Sequence, residues 1–167
     1  SSLMIHWCTS LDSLFAEVRR VLRYPGVFSF ATLGPGSFQE LREAWQAVDG
    51  DPHVMRFPEM TALGNGLLRA GLTEPVIDVE TLTICYPDLR QLTTDLRSTG
   101  TTNPNSGRSQ GLTGRRSWAR LEAAYGERRD ANGALPVTLE MVFGTVWAKP
   151  AAGNGSQLRD APSSRSI

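Results

Sequence analysis

The sequence is poor in cysteine and histidine, the side chains that most often hold transition metals or carry redox chemistry. Its 167 residues include two cysteines, Cys8 and Cys85, and two histidines, His6 and His53. This set cannot form a disulfide framework or a four-cysteine zinc site, and no H-E-x-x-H motif is present. We therefore expect no metal site, and we expect both thiols to be buried apolar groups in a reducing, cytoplasmic setting.

Neither an excess of one charge nor a long apolar run is present. Seventeen Lys and Arg residues balance 17 Asp and Glu residues, which leaves no electrostatic basis for binding nucleic acid or an anionic membrane. No apolar stretch reaches the roughly 18 to 20 residues of a membrane helix, and no basic segment precedes an apolar one as in a signal peptide. The hydrophobic content of 40% is typical of a globular domain.

The first part of the chain predicts a strand–helix–strand unit. Residues 1–8 (SSLMIHWC) are typical of the end of a strand that runs into a loop, so we expect the beginning of this strand to lie outside the chain. Ser10 can cap a helix that ends near Leu22. Val27–Leu33 (VFSFATL) is apolar on both faces, which is typical of a strand inside a parallel sheet.

Two helices are predicted before the next strand. Ser37 and Glu40 have the S-x-x-E spacing of a capping box and follow the turn Gly34-Pro35-Gly36. Pro58 can occupy the first turn of the next helix, and Gly71 can end it. The turn is expected to connect strand and helix rather than to bind a phosphate, because the G-x-G-x-x-G pattern lacks its third glycine.

The second half has longer strands and more polar connections. Alternation over residues 76–86 and 136–147 predicts two strands. Between them we expect a fourth helix after Pro87-Asp88, a polar loop over residues 101–111 and a fifth helix capped by Thr113.

The order of these elements predicts an α/β fold. Two buried strands with crossover helices indicate a doubly wound, Rossmann-like sheet, and the last two strands are expected to form an antiparallel pair at its edge. We interpret residues 1–148 as the C-terminal part of such a domain. The Pro-, Ala-, Gly- and Ser-rich tail, residues 149–167, is expected to be disordered.

Residues that follow the predicted strands are the first candidates for ligand contacts. Ligands of open α/β sheets bind beyond the carboxyl ends of the strands, which places His6, Trp7 and Thr32 at a potential site. Plainer explanations are also open, namely that Trp7 packs under the next helix and that His6 is exposed or hydrogen-bonded within the core.

Three arginines are candidates for binding an anion. Arg56, in the loop before the third helix, could grip a carboxylate through two hydrogen bonds. Arg115 and Arg116 lie at the start of the fifth helix, where the dipole disfavours cations by roughly a few tenths of a kcal/mol. Solvation is the commoner explanation for all three. Because the sequence has no G-x-S-x-G elbow and no nucleotide loop, the residues alone indicate a ligand-binding domain without defining a reaction.

Several segments match the motifs of one enzyme family. Residues 44–57 have the specific pattern A-W-Q-A-V-D-x-x-P-H-x-x-R-F, and residues 1–8 match S-N-L-x-x-Q-W-C in part. Shorter matches are R-R-V-L-R-x-P-G-V (19–27), T-L-x-x-G-S-x-x-E-L (32–41), D-L-R-S-T-G (95–100) and G-L-T-G-R (111–115). Over residues 1–148 the chain thus resembles the malonyl-acyl-carrier-protein O-methyltransferases of biotin synthesis, which are class I S-adenosylmethionine-dependent enzymes.

The resemblance implies a reaction. The free carboxylate of a malonyl thioester, carried by acyl carrier protein or coenzyme A, would take the methyl group of S-adenosylmethionine and become a methyl ester on the way to pimelate. A carboxyl group with a pKa near about 4 is already ionised at neutral pH. Its site therefore needs alignment with the methyl group and exclusion of water, and it needs no general base.

The resemblance also implies roles for single residues. Arg56 and His53, in the H-x-x-R-F segment, are predicted to bind the malonyl group together with Thr32. Arg115 and Arg116 are predicted to meet the carboxylate or an acidic carrier protein. The methyl donor is predicted to contact the two residues that follow the first strand, His6 and Trp7.

The chain departs from the family in ways that leave alternatives open. Ser2, His6 and Met55 stand where the family has Asn, Gln and Asn, which bears on substrate orientation. The family's glycine-rich donor loop would precede Ser1, so we expect the chain alone to bind S-adenosylmethionine poorly and to be inactive. Two alternatives are a methyltransferase for another small carboxylic acid and a non-catalytic fragment that binds a carrier protein. The sequence leaves the oligomeric state open.

Overall fold

The computed structural model describes residues 1–49, 51–98 and 114–150. Within these residues the chain begins with a 3₁₀ turn, Ile5–Trp7, and continues with α1 (Leu11–Val21), β1 (Val27–Leu33), α2 (Gln39–Gln46), α3 (Met60–Arg69), β2 (Leu72–Tyr86), α4 (Leu89–Ser98), α5 (Arg115–Gly126) and β3 (Leu135–Ala148). The predictions for Thr113, for residues 101–111 and for most of the tail fall outside the described residues.

The three strands form a sheet in the order β1-β3-β2, with both pairs antiparallel. The prediction that the last two strands pair antiparallel is confirmed. The pair also lies at the edge of the sheet as predicted, with β2 as the outer strand and β3 between β1 and β2. This central position makes β3 the strand on which both other strands and their loops depend.

The chain start pairs with the other side of β1. Ser2 forms a single parallel bridge with Ala31, in which the Leu3 amide donates to the Ala31 carbonyl at 2.8 Å and the Ala31 amide donates to the Ser1 carbonyl at 2.9 Å. The parallel neighbour expected for β1 is therefore present, although it is shorter than predicted, because the chain turns into the 3₁₀ conformation at Ile5.

Helices cover both faces of the sheet. The alternation of β3 places Leu135 and Val137 in one apolar cluster with residues of α2, α4 and α5. Val142 and Val146, of opposite parity, belong to a second cluster with residues of α1 and α3. The result is a three-layer α/β/α arrangement, which confirms the α/β class.

The N-terminal ends of two helices test the capping motifs that were predicted from the sequence. The Ser10 hydroxyl accepts from the Ser13 amide at 3.2 Å, so the predicted cap of α1 is confirmed. The predicted capping box of α2 is wrong, because Phe38 is its N-cap residue and neither side chain of the motif caps it. Ser37 and Glu40 bond to β3 instead, which only a fold that brings β3 against this turn could reveal.

Both cysteines differ from the prediction that they would be buried. Cys8 is partly exposed and Cys85 is exposed, and both are free thiols. Cys85 lies near the end of the edge strand β2, where residues 78–85 are all exposed. None of the helices in the described part of the chain has the length and apolar character to cross a bilayer.

Gly144 is required by close packing on β3. It lies opposite Phe30 in the β1–β3 register, and a Cβ atom at Gly144 would overlap the Phe30 ring. We expect Gly144→Ala to lower the free energy of unfolding by about 1–3 kcal/mol, since the ring must leave its position in the second cluster. Urea denaturation measures this change.

A matched control is Gly64→Ala on α3. Its Cβ atom would meet only the Ile77 side chain, at 3.4 Å, so the higher helix propensity of alanine should raise the free energy of unfolding by about 0.5–1 kcal/mol. Equal effects of the two substitutions would contradict the packing of Phe30 over Gly144.

Candidate functional site

Two loops meet at one edge of the sheet. The segment that ends at Leu3 runs parallel to β1, so the residues that follow these two strands emerge on the same side. They are the 3₁₀ turn Ile5–Trp7 and the turn Gly34–Phe38. Ile5 is fully buried in the second apolar cluster and anchors the first of these turns. This edge is where the sequence predicted a site.

His6 is the centre of a small aromatic group at this edge. Its ring centroid lies 5.5 Å from that of Trp7 and 5.6 Å from that of Phe57, the latter in an edge-to-face arrangement. Its Nδ1 lies 3.5 Å from the hydroxyl of Thr32, which is fully buried. The structure thus brings together three residues that the sequence singled out, His6, Trp7 and Thr32.

The charge state of this group follows from its burial. Partial burial lowers the pKa of His6 below its usual 6.5, which favours the neutral imidazole beside Trp7 at pH 7. Trp7 is 42% exposed. An accessible aromatic face beside a neutral imidazole is suited to attracting a positively charged ligand.

His53 is held by contacts within its own loop. Its ring stacks on Trp45 with centroids 3.6 Å apart, and its Nε2 lies 2.9 Å and 3.0 Å from the two carboxylate oxygens of Asp49. Asp51 is close enough that one ligand atom from each of the three groups lies within 4.8 Å of the others. These contacts shape the loop before α3, where His53 lines a small cavity together with Phe38 and Phe57.

Arg56 lies on the outer side of the same segment. Its neighbours Met55 and Phe57 are buried, whereas Arg56 is exposed. It lines an open depression, with about 610 Å³ of empty space, together with Arg42 and Asp51. Because Phe57 points inwards to His6 and Arg56 points away, the structure places Arg56 beside the aromatic group and not inside it.

Arg115 and Arg116 are located elsewhere. They are exposed in the first turn of α5, a helix that packs against α2. Arg120 on the same helix donates to the Ala47 carbonyl at 3.1 Å, which ties the helix to the end of α2. These two arginines are therefore on a different surface of the described structure from His6 and Thr32.

An apolar groove beside the edge was not predicted from the sequence. It encloses about 640 Å³ of open space and is lined by Leu3, Leu33, Phe38, Ile84, Tyr86, Asp95, Leu96, Val137, Leu139 and Met141. Burial, together with a hydrogen bond to the nearby Asp95 carboxylate, raises the pKa of Tyr86. No motif could have identified this groove, because its walls come from separate segments that only the sheet brings together.

Phe38 connects the groove to the aromatic group. It lines the groove on one side, and on the other side its ring centroid lies 6.0 Å from that of Phe57. Phe38 is buried and has a left-handed backbone conformation with φ 56°. The conformation of the turn that contains Phe38 therefore determines the shape of both the groove and the aromatic group.

The comparisons with known proteins fit this arrangement. No family model matches the chain. The malonyl-[acyl-carrier protein] O-methyltransferase of Laribacter hongkongensis is 43% identical over 96% of this chain and 53% of its own length. The enzyme of the same name from Gallionella capsiferriformans is 44% identical over 90% of this chain and 51% of its own length. The chain thus spans about half the length of the curated relatives it matches.

A solved structure shows the same fold. The YcgJ protein from Bacillus subtilis superposes with a TM-score of 0.52 over 87% of this chain and 61% of its own length, at 14% sequence identity. The element order, the antiparallel last pair of strands and the helices on both faces agree with the class I resemblance of the sequence. Over about half of their length, the chain is therefore a homologue of the malonyl-[acyl-carrier protein] O-methyltransferases, with the fold of the C-terminal part of a class I methyltransferase.

Proposed function

We propose that this chain forms the acceptor side of an S-adenosylmethionine-dependent O-methyltransferase. The reaction converts the free carboxylate of a malonyl thioester on acyl carrier protein into its methyl ester, the form that enters biotin synthesis. The observation that carries this proposal is the 43% identity, over 96% of the chain, to a relative with that name. Two free cysteines agree with the proposed cytoplasmic location.

The chemistry of the acceptor suits the site. A carboxylate is ionised at neutral pH and attacks a methyl group without a general base. The requirement is a fixed line of approach in a site from which water is excluded. The buried hydroxyl of Thr32 and the neutral ring of His6 form a small, weakly polar surface at the edge of the sheet where β1 ends. Such a surface suits this requirement.

The residues at this edge also fit part of the methyl donor. S-adenosylmethionine supplies a methyl group activated by its positively charged sulfur. The exposed face of Trp7, beside a neutral His6, is suited to holding that positive charge. The sequence contains no G-x-G-x-x-G loop, so we assign the nucleoside portion of the donor to no residue of this chain.

Arg56 is proposed to bind the anionic acceptor from the rim of the site. It is exposed beside the aromatic group, and no ion pair within the described ranges occupies its guanidinium. Arg115 and Arg116 are proposed to meet the acidic carrier protein on the separate surface formed by α5. His53 is proposed to shape the rim through its stacking on Trp45.

A chimera tests the proposed reaction. This chain replaces the matching region of the Laribacter hongkongensis relative, and transfer of a radiolabelled methyl group to malonyl carrier protein is measured. We expect methylation of the malonyl thioester and none of the malonamyl analogue, which has an amide in place of the carboxylate. A folded chimera that leaves malonyl carrier protein unmethylated contradicts the proposal. Faster methylation of free dicarboxylates supports an enzyme for another small acid.

Arg56→Gln tests the proposed contact with the anion. A charge-assisted hydrogen bond is worth about 1.5–3 kcal/mol, so in the chimera we expect KM for malonyl carrier protein to rise tenfold or more, with little change in stability. Arg90→Gln, at an exposed arginine on α4, is the matched control and should leave KM unchanged. Equal KM values for both variants would show that Arg56 is only solvated.

A further inference from the structure

The turn Gly34–Phe38 is bound to the central strand by a set of hydrogen bonds centred on Glu140. The Gly34 amide donates to the Glu140 carbonyl at 2.8 Å, and the Gly36 amide donates to the Glu140 carboxylate at 2.6 Å. The buried Ser37 hydroxyl accepts from the Glu140 amide at 3.0 Å and donates to its carbonyl at 3.2 Å. One residue of β3 thus binds three successive parts of the turn.

The same carboxylate explains why two glycines lie in the turn. A Cβ atom at Gly34 would lie 2.8 Å from Glu140 Oε1, and one at Gly36 would collide with Glu140 Oε2. Any larger residue at either position would displace the carboxylate from the turn. The glycines that superficially resemble part of a nucleotide loop are therefore needed to admit Glu140.

The turn is held from the opposite side as well. The Arg42 guanidinium, on α2, donates to the Pro35 carbonyl at 3.3 Å and to the Ser37 carbonyl at 3.0 Å. The turn thus lies between a cation that binds its carbonyls and an anion that binds its amide. A short segment with its polar groups satisfied from both sides has little freedom to change conformation.

Phe38, the last residue of the turn, shapes the candidate site. The Phe38 amide donates to the Thr138 carbonyl at 2.8 Å, and the Thr138 amide in turn donates to the Glu40 carboxylate at 3.0 Å. Phe38 has a left-handed conformation that side-chain-bearing residues seldom adopt. The contacts around Phe38 must therefore maintain this conformation. They also maintain the position of Phe38 between the groove and the aromatic group.

We propose that Glu140 is a positioning residue for the acceptor. The backbone of Glu140 binds Gly34 and Ser37, and its carboxylate adds the bond to the Gly36 amide that completes the hold on the turn. Through the turn the carboxylate fixes Phe38 against Phe57 on one side and the apolar groove on the other. Glu140 acts on the acceptor through Phe38 and does not contact it. This inference rests on the proposed function, since it assumes that a malonyl thioester binds at this edge.

Paired variants of the full 167-residue chain test the proposal. Glu140→Gln keeps an oxygen that can accept from the Gly36 amide, whereas Glu140→Leu removes it. Hydrogen exchange of the Gly36 amide reports on the turn, exchange of the Val142 and Val146 amides reports on the core, and an NMR titration with malonyl-pantetheine reports on acceptor affinity. Glu80→Leu, at an exposed residue of β2, is the matched control.

For Glu140→Leu we expect Gly36 to exchange at least tenfold faster, the core amides to remain within twofold, and the affinity for malonyl-pantetheine to fall at least tenfold. Glu140→Gln should recover exchange and affinity to within about threefold, and Glu80→Leu should behave as the wild type. If Glu140→Leu does not fold, Ser37→Ala removes the hydroxyl that binds the Glu140 backbone, loosens the same turn and should weaken binding at least threefold.

The outcomes separate this inference from the proposed function. Unchanged affinity in Glu140→Leu, with faster exchange at Gly36, overturns the positioning role and leaves the acceptor site intact. Failure of the wild type to bind malonyl-pantetheine contradicts the acceptor site, and with it both proposals. Equal losses of affinity in Glu140→Gln and Glu140→Leu, with Gly36 still protected in the former, also overturn the role assigned to the turn.

Discussion

The structure depends on the position of β3 between the other two strands. Its alternating side chains fill both apolar clusters, and its backbone pairs with β1 on one side and β2 on the other. The same strand supplies Thr138 and Glu140, which hold the turn after β1. A single strand therefore links the stability of the sheet to the geometry of the edge where the site lies, and a shift of this strand would disturb both.

The candidate site at that edge suits the placement of a ligand more than it suits proton transfer. Its central groups are a neutral imidazole, a buried hydroxyl and aromatic rings, and the charged side chains lie around them. Arg56 is outside the aromatic group because alternate residues of its segment point inwards. A carboxylate acceptor that is already ionised needs a shaped and partly dry surface of this kind, with cations at its rim to attract it.

The half-length match to the relatives agrees with the distribution of residues. The sequence of the chain contains no G-x-G-x-x-G loop, and in the proposed function the chain supplies the acceptor side. Trp7 and His6, which follow the segment paired with β1, lie at the edge of the sheet where ligands of open α/β folds bind.

The amino-acid sequence by itself determined the elements whose signals are local. The Ser10 cap, the end of α3 at Gly71 and the alternation of the last two strands follow from short-range hydrogen bonds and side-chain periodicity. The sequence also placed His6 and Thr32 at the same edge of the sheet, because consecutive parallel strands end at the same edge.

Only the tertiary structure decided the partners of Ser37, Glu40 and the glycine turn. The capping-box spacing was locally plausible, but β3, about one hundred residues further along the chain, offered the same side chains better partners. The exposure of Cys85 and the outward direction of Arg56 were likewise set by which strand lies at the edge and which side of a loop packs inwards. Contacts between residues so distant in sequence produce no periodic pattern in the sequence, so only the folded structure reveals them.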